Sequence, residues 1–86
     1  PTYETRDLSL ATSLKVHGFR FLGLKSDEKG RGIFIFEDRD HQEIQRVVDN
    51  YFSGELKGSF RAYSNTWKDL KAMLFEKLNL DGRRLR

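Results

Sequence analysis

The sequence predicts one α+β domain, a small antiparallel sheet around a central hairpin with two to three helices packed on it, in the order β-α-β-β-α-(β)-α. Three patterns carry that expectation. Residues 19–25 and 33–36 are apolar, aromatic-rich runs joined by the polar connector Ser26-Asp27-Glu28-Lys29-Gly30-Arg31-Gly32, which reads as a hairpin. Ile44, Val47, Val48, Tyr51 and Phe52 recur at helical spacing. Tyr63, Trp67, Leu70, Leu74 and Leu78 form a second stripe within a helix expected over 61–78. The chain has 86 residues, enough for one core and too few for two.

Taken in order, residues 2–6 read as a short edge strand. Asp7 precedes a helix over 8–17, because its carboxylate can accept an orphan N–H and complement the positive helix end. Gly18 can take the left-handed conformation that closes that helix, with Phe19 behind it as the apolar contact. Leu10, Ala11 and Leu14 share its buried side. Strand alternation then puts Phe19, Phe21 and Gly23 on one sheet face and Leu22 and Leu24 on the other. Ile33-Phe34-Ile35-Phe36 has no polar position, so that strand is expected at the sheet centre with both faces at least partly covered. Asp40-His41-Gln42-Glu43 has capping-box spacing and Gly54 closes the helix behind it. Residues 55–60 are a turn or a short last strand. Residues 1–80 then form the domain and 81–86 a basic tail.

Composition narrows the function. Lys and Arg number 16 against 13 acids, net +3, but residues 79–86 alone carry Arg83, Arg84 and Arg86 against Asp81. The body is left almost neutral, so a high pI is weak evidence for nucleic acid. Cysteine is absent, which removes disulfides and thiolate metal sites. No apolar run approaches the length of a membrane span and no signal-peptide pattern opens the chain. A soluble, cytoplasmic protein is expected.

Chemistry-bearing residues are few. Glu37, Asp38 and Asp40 with His41 are the densest titratable cluster, read here as capping the following helix. His17 and His41 are the only histidines, and His17 suits the helix C-terminus it precedes. Gly30-Arg31-Gly32 lacks the third glycine and helix start of a phosphate-cradling loop. Pro1 could act as a general base, as in the tautomerase superfamily, but that architecture follows its proline with a buried, apolar parallel strand. Thr2-Tyr3-Glu4-Thr5-Arg6 is largely polar, and an N-terminal-proline tautomerase is a remote alternative; loss of an initiator Met, or a chain boundary, explains Pro1 more simply. No catalytic residue, cofactor or metal is expected. The chain reads as non-enzymatic.

Two resemblances follow from specific residues. Lys29-Gly30-Arg31-Gly32-Ile33-Phe34-Ile35-Phe36, followed by Glu37-Asp38, resembles the octapeptide of the RNA-recognition motif in its basic first position, its glycines and its final aromatic. Arg31 and Ile33 stand where that motif stacks bases on aromatic rings, so the string is read as a glycine-bearing turn entering an apolar strand. The second runs through Asp7-Leu8, Leu10-Ala11, Gly18-Phe19, Phe34, Phe36-Glu37-Asp38, Tyr51-Phe52-Ser53-Gly54, Tyr63 and Leu70-Lys71. It is similar to a family of small bacterial and phage proteins classed as a domain of unknown function. That resemblance implies a stand-alone domain with no catalytic residues to carry over.

Binding remains. Protein–protein contact, with an unknown partner or as a homodimer, is placed first because the body is nearly neutral, with Phe60 and Phe75 as candidate contacts. Binding of single-stranded RNA or DNA is the alternative. Its candidates are Lys29 and Arg31 at the hairpin tip, Lys68 and Lys71 on the last helix, and Arg83 and Arg84 adding unspecific affinity.

Overall fold

A computed structural model describes the backbone of residues 1–84 and the side chains through Asn79. The order is β1 (Thr2–Thr5), α1 (Leu8–Val16), β2 (Phe21–Ser26), β3 (Gly32–Glu37), α2 (His41–Ser53) and α3 (Phe60–Arg84). The α+β class is as the sequence predicts. β3 is central, with β1 and β2 antiparallel on either side of it. β1 and β2 are therefore parallel to each other with one strand between them, and α1 is the crossover that joins them.

Local chemistry sets the helix ends. Asp7 Oδ1 accepts the Leu10 N–H at 3.1 Å and opens α1. At its far end Gly18 sits at φ 93°, and the Phe19 N–H bonds the Leu14 carbonyl at 3.1 Å. Asp40 caps α2 through the Gln42 N–H, and Gly54 at φ 77° closes it. At the hairpin tip Asp27 organises the turn: Oδ1 accepts the Lys29 and Arg31 N–H groups, and Oδ2 accepts Arg31 Nε at 2.8 Å. The Arg31 backbone bond leads the interactions that hold the Asp27 carboxyl below its ordinary range.

The core lies on one face of the sheet. Phe34 and Phe36 from β3 meet Leu10, Ala11 and Leu14 of α1, Ile44, Val47 and Val48 of α2, and Leu70 of α3. Leu74 packs behind Leu70, and one of its methyls occupies the space that a Cβ on Gly32 would need. Gly32 is thus a packing residue, buried under α3, rather than part of the turn.

Three expectations change. A β-bulge at Leu22 and Gly23 sets both residues opposite Ile35, so Phe21 and Leu24 both face the core. Leu22 is turned out, 45% exposed, and the period-two assignment of Leu24 to the opposite face does not hold. Residues 55–60 form no strand. Leu56 tucks against the core, Gly58 lies under the Tyr63 ring and Ser59 Oγ accepts the Ala62 N–H, so residues 55–59 are a connector that caps α3 and Phe60 is already the first residue of that helix. Phe52, expected on the buried stripe of α2, is 71% exposed. It falls at the edge of the apolar arc in the last turn, where Tyr51 takes the inner position.

Candidate binding cleft

A cleft of about 380 Å³ opens between α1 and the first half of α3, lined by Ser9, Thr12, Ser13, Tyr51, Phe60, Tyr63, Ser64 and Trp67. Its origin is steric. Ser9, Thr12 and Ser13 on α1 and Ser64 on α3 are small residues on facing helices, so the helices meet without filling the space between them. Four aromatic rings, from the end of α2 and from α3, then stand around that gap.

Four of the lining residues, Thr12, Ser13, Tyr51 and Tyr63, are held by polar contacts. The Thr12 hydroxyl donates to the Leu8 carbonyl at 2.8 Å and the Ser13 hydroxyl to the Ser9 carbonyl at 3.0 Å. Both donors are thereby spent inside α1, and their oxygens retain only accepting capacity toward the cleft. The Tyr51 hydroxyl donates to Asp7 Oδ2 at 3.2 Å, so the residue that caps α1 also anchors a cleft wall. Tyr63 shares a 2.9 Å hydrogen bond with His17 Nε2 and meets that ring edge-on. His17, expected to act on its own helix end, ties α1 to α3.

Burial raises the Tyr51 phenol above its ordinary value of 10.0, and the Asp7 charge adds to the shift. Tyr3 is raised by burial and then by Asp38 and Asp7. A phenol whose folded pKa is raised contributes stability that is complete below the unfolded value near 10.0. That contribution is lost as pH rises through the higher folded value. Denaturant midpoints should therefore fall at alkaline pH as phenolate absorbance grows, and Tyr51→Phe should flatten part of the fall. An unchanged alkaline profile in Tyr51→Phe would remove Tyr51 from this account.

The candidates read from the sequence separate spatially. Phe60, 87% exposed, stands on the cleft rim. Phe75 is 55% exposed further along α3. Lys71 Nζ lies 4.6 Å from the Trp67 ring centroid and 5.8 Å from that of Phe75, and Lys68 is exposed beside it. Lys29 and Arg31 line a different hollow at the hairpin tip, where Arg31 is committed to Asp27. The side chains of Arg83 and Arg84 lie outside the described residues.

The carboxylate cluster also divides. Glu37 pairs with Arg39 at 2.6 Å, Asp38 Oδ2 with His41 Nδ1 at 3.0 Å, and Asp40 caps α2. Asp38 Oδ1 is buried without a hydrogen-bond partner. Among the described residues no three His, Cys, Asp or Glu side chains converge as a metal-holding group. Pro1 leads into an antiparallel edge strand, unlike the buried parallel strand a proline-based tautomerase requires. The stacking face of an RNA-recognition motif has no aromatic counterpart here, since Phe21, Phe34 and Phe36 face the helices while Leu22, Ile33 and Ile35 lie on the other side. No helix among the described residues is long and apolar enough to cross a membrane.

Sequence reasoning named Phe60 but not Ser9, Thr12, Ser13 or Ser64, and it assigned Tyr51, Tyr63 and Trp67 to core stripes. The available signal was the run of small hydroxylated residues beside the apolar positions of α1, matched by Ser64. The family model described as Domain of unknown function (DUF5659) matches residues 1–76. No curated protein and no solved structure matches the chain.

Proposed function

We propose, for a chain that belongs to the DUF5659 family of domains of unknown function, a non-enzymatic protein-binding module whose cleft takes one apolar or aromatic side chain of its partner. The observation that carries this reading is the cleft itself. Four aromatic rings line it, and of its hydroxylated residues Thr12 and Ser13 have spent their donors inside α1, so most of what the site offers a ligand is carbon surface, with Ser9 and Ser64 as its remaining polar points. The histidines and Asp7 support a non-enzymatic reading because each is engaged in a contact that holds the fold. A cytoplasmic setting, in a bacterial or phage protein, accompanies the proposal.

Titration of the labelled protein with millimolar indole or p-cresol tests it. Amides of Ser9, Thr12, Tyr63 and Ser64 should shift and saturate, and the fluorescence of Trp67, the single tryptophan, should change with p-cresol. Ser64→Phe, which fills the gap with the variant's own ring, should abolish both responses. Shifts spread over the Leu22–Ile35 side of the sheet, or retained in Ser64→Phe, would overturn the reading.

A further inference from the structure

The flank of α3 beside its buried Leu70 and Leu74 side continues from the cleft as a cationic, aromatic stripe. At about 100° per residue, Phe60, Ser64, Trp67, Lys71 and Phe75 fall in one narrow arc, with Arg61 and Lys68 along its margin. Asp69 and Glu76 fall on the opposite side. The stripe therefore joins three cations to three rings and holds no acid. We infer that it takes an acidic peptide segment, with an apolar anchor of that segment in the cleft and its carboxylates on Lys68 and Lys71. The inference rests on the reading of the cleft as a protein-binding site and specifies the partner's chemistry.

Charge complementarity carries the argument. On the sheet side five cations have a carboxylate beside them: Arg6 and Arg31 share Asp27, Arg20 and Arg39 share Glu37, and Lys25 meets Glu4. Lys68 and Lys71 have no carboxylate within salt-bridge distance among the described residues. Lys71 is instead held over Trp67 and Phe75. A cation stabilised by ring faces keeps its ammonium fixed at the surface, so a carboxylate can approach it without first ordering a free side chain. The rings beneath supply apolar area at the same place.

Two other occupants fit less well. A nucleobase stacking on that face of Trp67 would have to displace Lys71, and its edge would find the Thr12 and Ser13 donors spent. A second copy related by a two-fold axis along this stripe would bring Arg61, Lys68 and Lys71 against themselves, and like charges facing one another oppose association.

The test uses a short Glu/Ala-rich peptide with one central Trp, its Glu→Gln and Trp→Ala versions, and an oligodeoxythymidine of matched charge. Affinity is read by fluorescence anisotropy and location by amide shifts. The Glu peptide should shift Tyr63, Ser64, Trp67, Lys68 and Lys71. The Gln version should bind about three- to tenfold more weakly, the range expected for two exposed charge pairs, and Lys68→Gln/Lys71→Gln should remove that difference between the peptides. Equal binding of the Glu and Gln peptides at the cleft would overturn the acidic partner and leave the cleft reading standing. Undiminished binding of the Trp→Ala peptide would overturn the anchored mode, and tighter binding of the oligonucleotide on the same residues would replace the peptide by nucleic acid. Absence of cleft shifts with every peptide, together with none from indole, would remove both readings.

Discussion

Phe34→Ala is expected to cost about 3–5 kcal/mol, the range for emptying a fully buried aromatic position, while Phe60→Ala should stay within about 0.5 kcal/mol. The two substitutions delete the same atoms. Phe34 is completely buried at the middle of the central strand, paired with Thr5 on one side and Leu24 on the other, with its ring near that of Phe21. No neighbouring element can collapse into its place without moving both flanking strands. Phe60 stands 87% exposed at the start of α3 and loses almost no buried area on truncation. A domain of this size buries a smaller fraction of its surface than a larger one and sits at the low end of the usual 5–15 kcal/mol or so of stability. Phe34→Ala therefore brings a large share of molecules to the unfolding transition at ordinary temperature. Urea midpoints at constant slope measure both changes. Comparable losses for the two variants would mean that Phe60 is covered in solution, by a second copy or by its own connector.

The contrast also shows which features a linear reading can reach. Helix ends were legible because their chemistry is local: Asp7 and Gly18 bound α1, and Asp40 and Gly54 bound α2, each within a few residues of the groups it satisfies. The centrality of β3 was legible because a strand with no polar position has few other places to go. Facing on β2 was not. Alternation is reliable only while the ladder is regular, and the bulge at Leu22 and Gly23 is set by pairing with Ile35 twelve residues away. Gly23, at φ 149°, is the one trace of it in the sequence.

The cleft was hidden for a related reason. It depends on which small residues of α1 meet which small residue of α3, and Thr12 and Ser64 are separated by most of the chain. Periodicity placed Trp67 on the same stripe as Leu70, yet Leu70 is fully buried and Trp67 is 36% exposed. A rotation of a fraction of a turn separates a core position from a cleft wall, and residue type alone does not encode it. Phe60 and Phe75 are exposed rings, as the sequence suggests, whereas of the hairpin-tip cations Arg31 is held by Asp27 and Lys29 meets that carboxylate only through its backbone N–H.

Asp7→Ala is the second large effect, about 2 kcal/mol, because one carboxylate performs two tasks. As the cap of α1 it satisfies the Leu10 N–H, a contribution of about 1 kcal/mol. As the acceptor for the Tyr51 hydroxyl it joins α1 to the end of α2 across 44 residues, and losing that hydrogen bond at a half-buried hydroxyl costs about another 1 kcal/mol. Asp7→Asn should recover most of the loss, since asparagine caps nearly as well as aspartate and keeps a side-chain oxygen. Tyr51→Phe should cost only the second part. The double variant Asp7→Ala/Tyr51→Phe then decides whether the two tasks are linked. If the carboxylate truly holds the ring, the losses overlap and the double variant is less destabilised than the sum of the singles. Strict additivity would mean that Asp7 caps α1 and nothing more. The same variants report on the cleft: with its hydroxyl released, Tyr51 no longer fixes that wall, and indole affinity should fall several-fold in Asp7→Ala while remaining close to the parent value in Asp7→Asn. Because Ser9, Thr12 and Ser13 of α1 also line the cleft, Tyr51→Phe is the cleaner probe: it leaves the Asp7 cap in place, so a fall in its indole affinity reports the Tyr51 contact alone, and an unchanged affinity would mean that the cap supports the cleft without it.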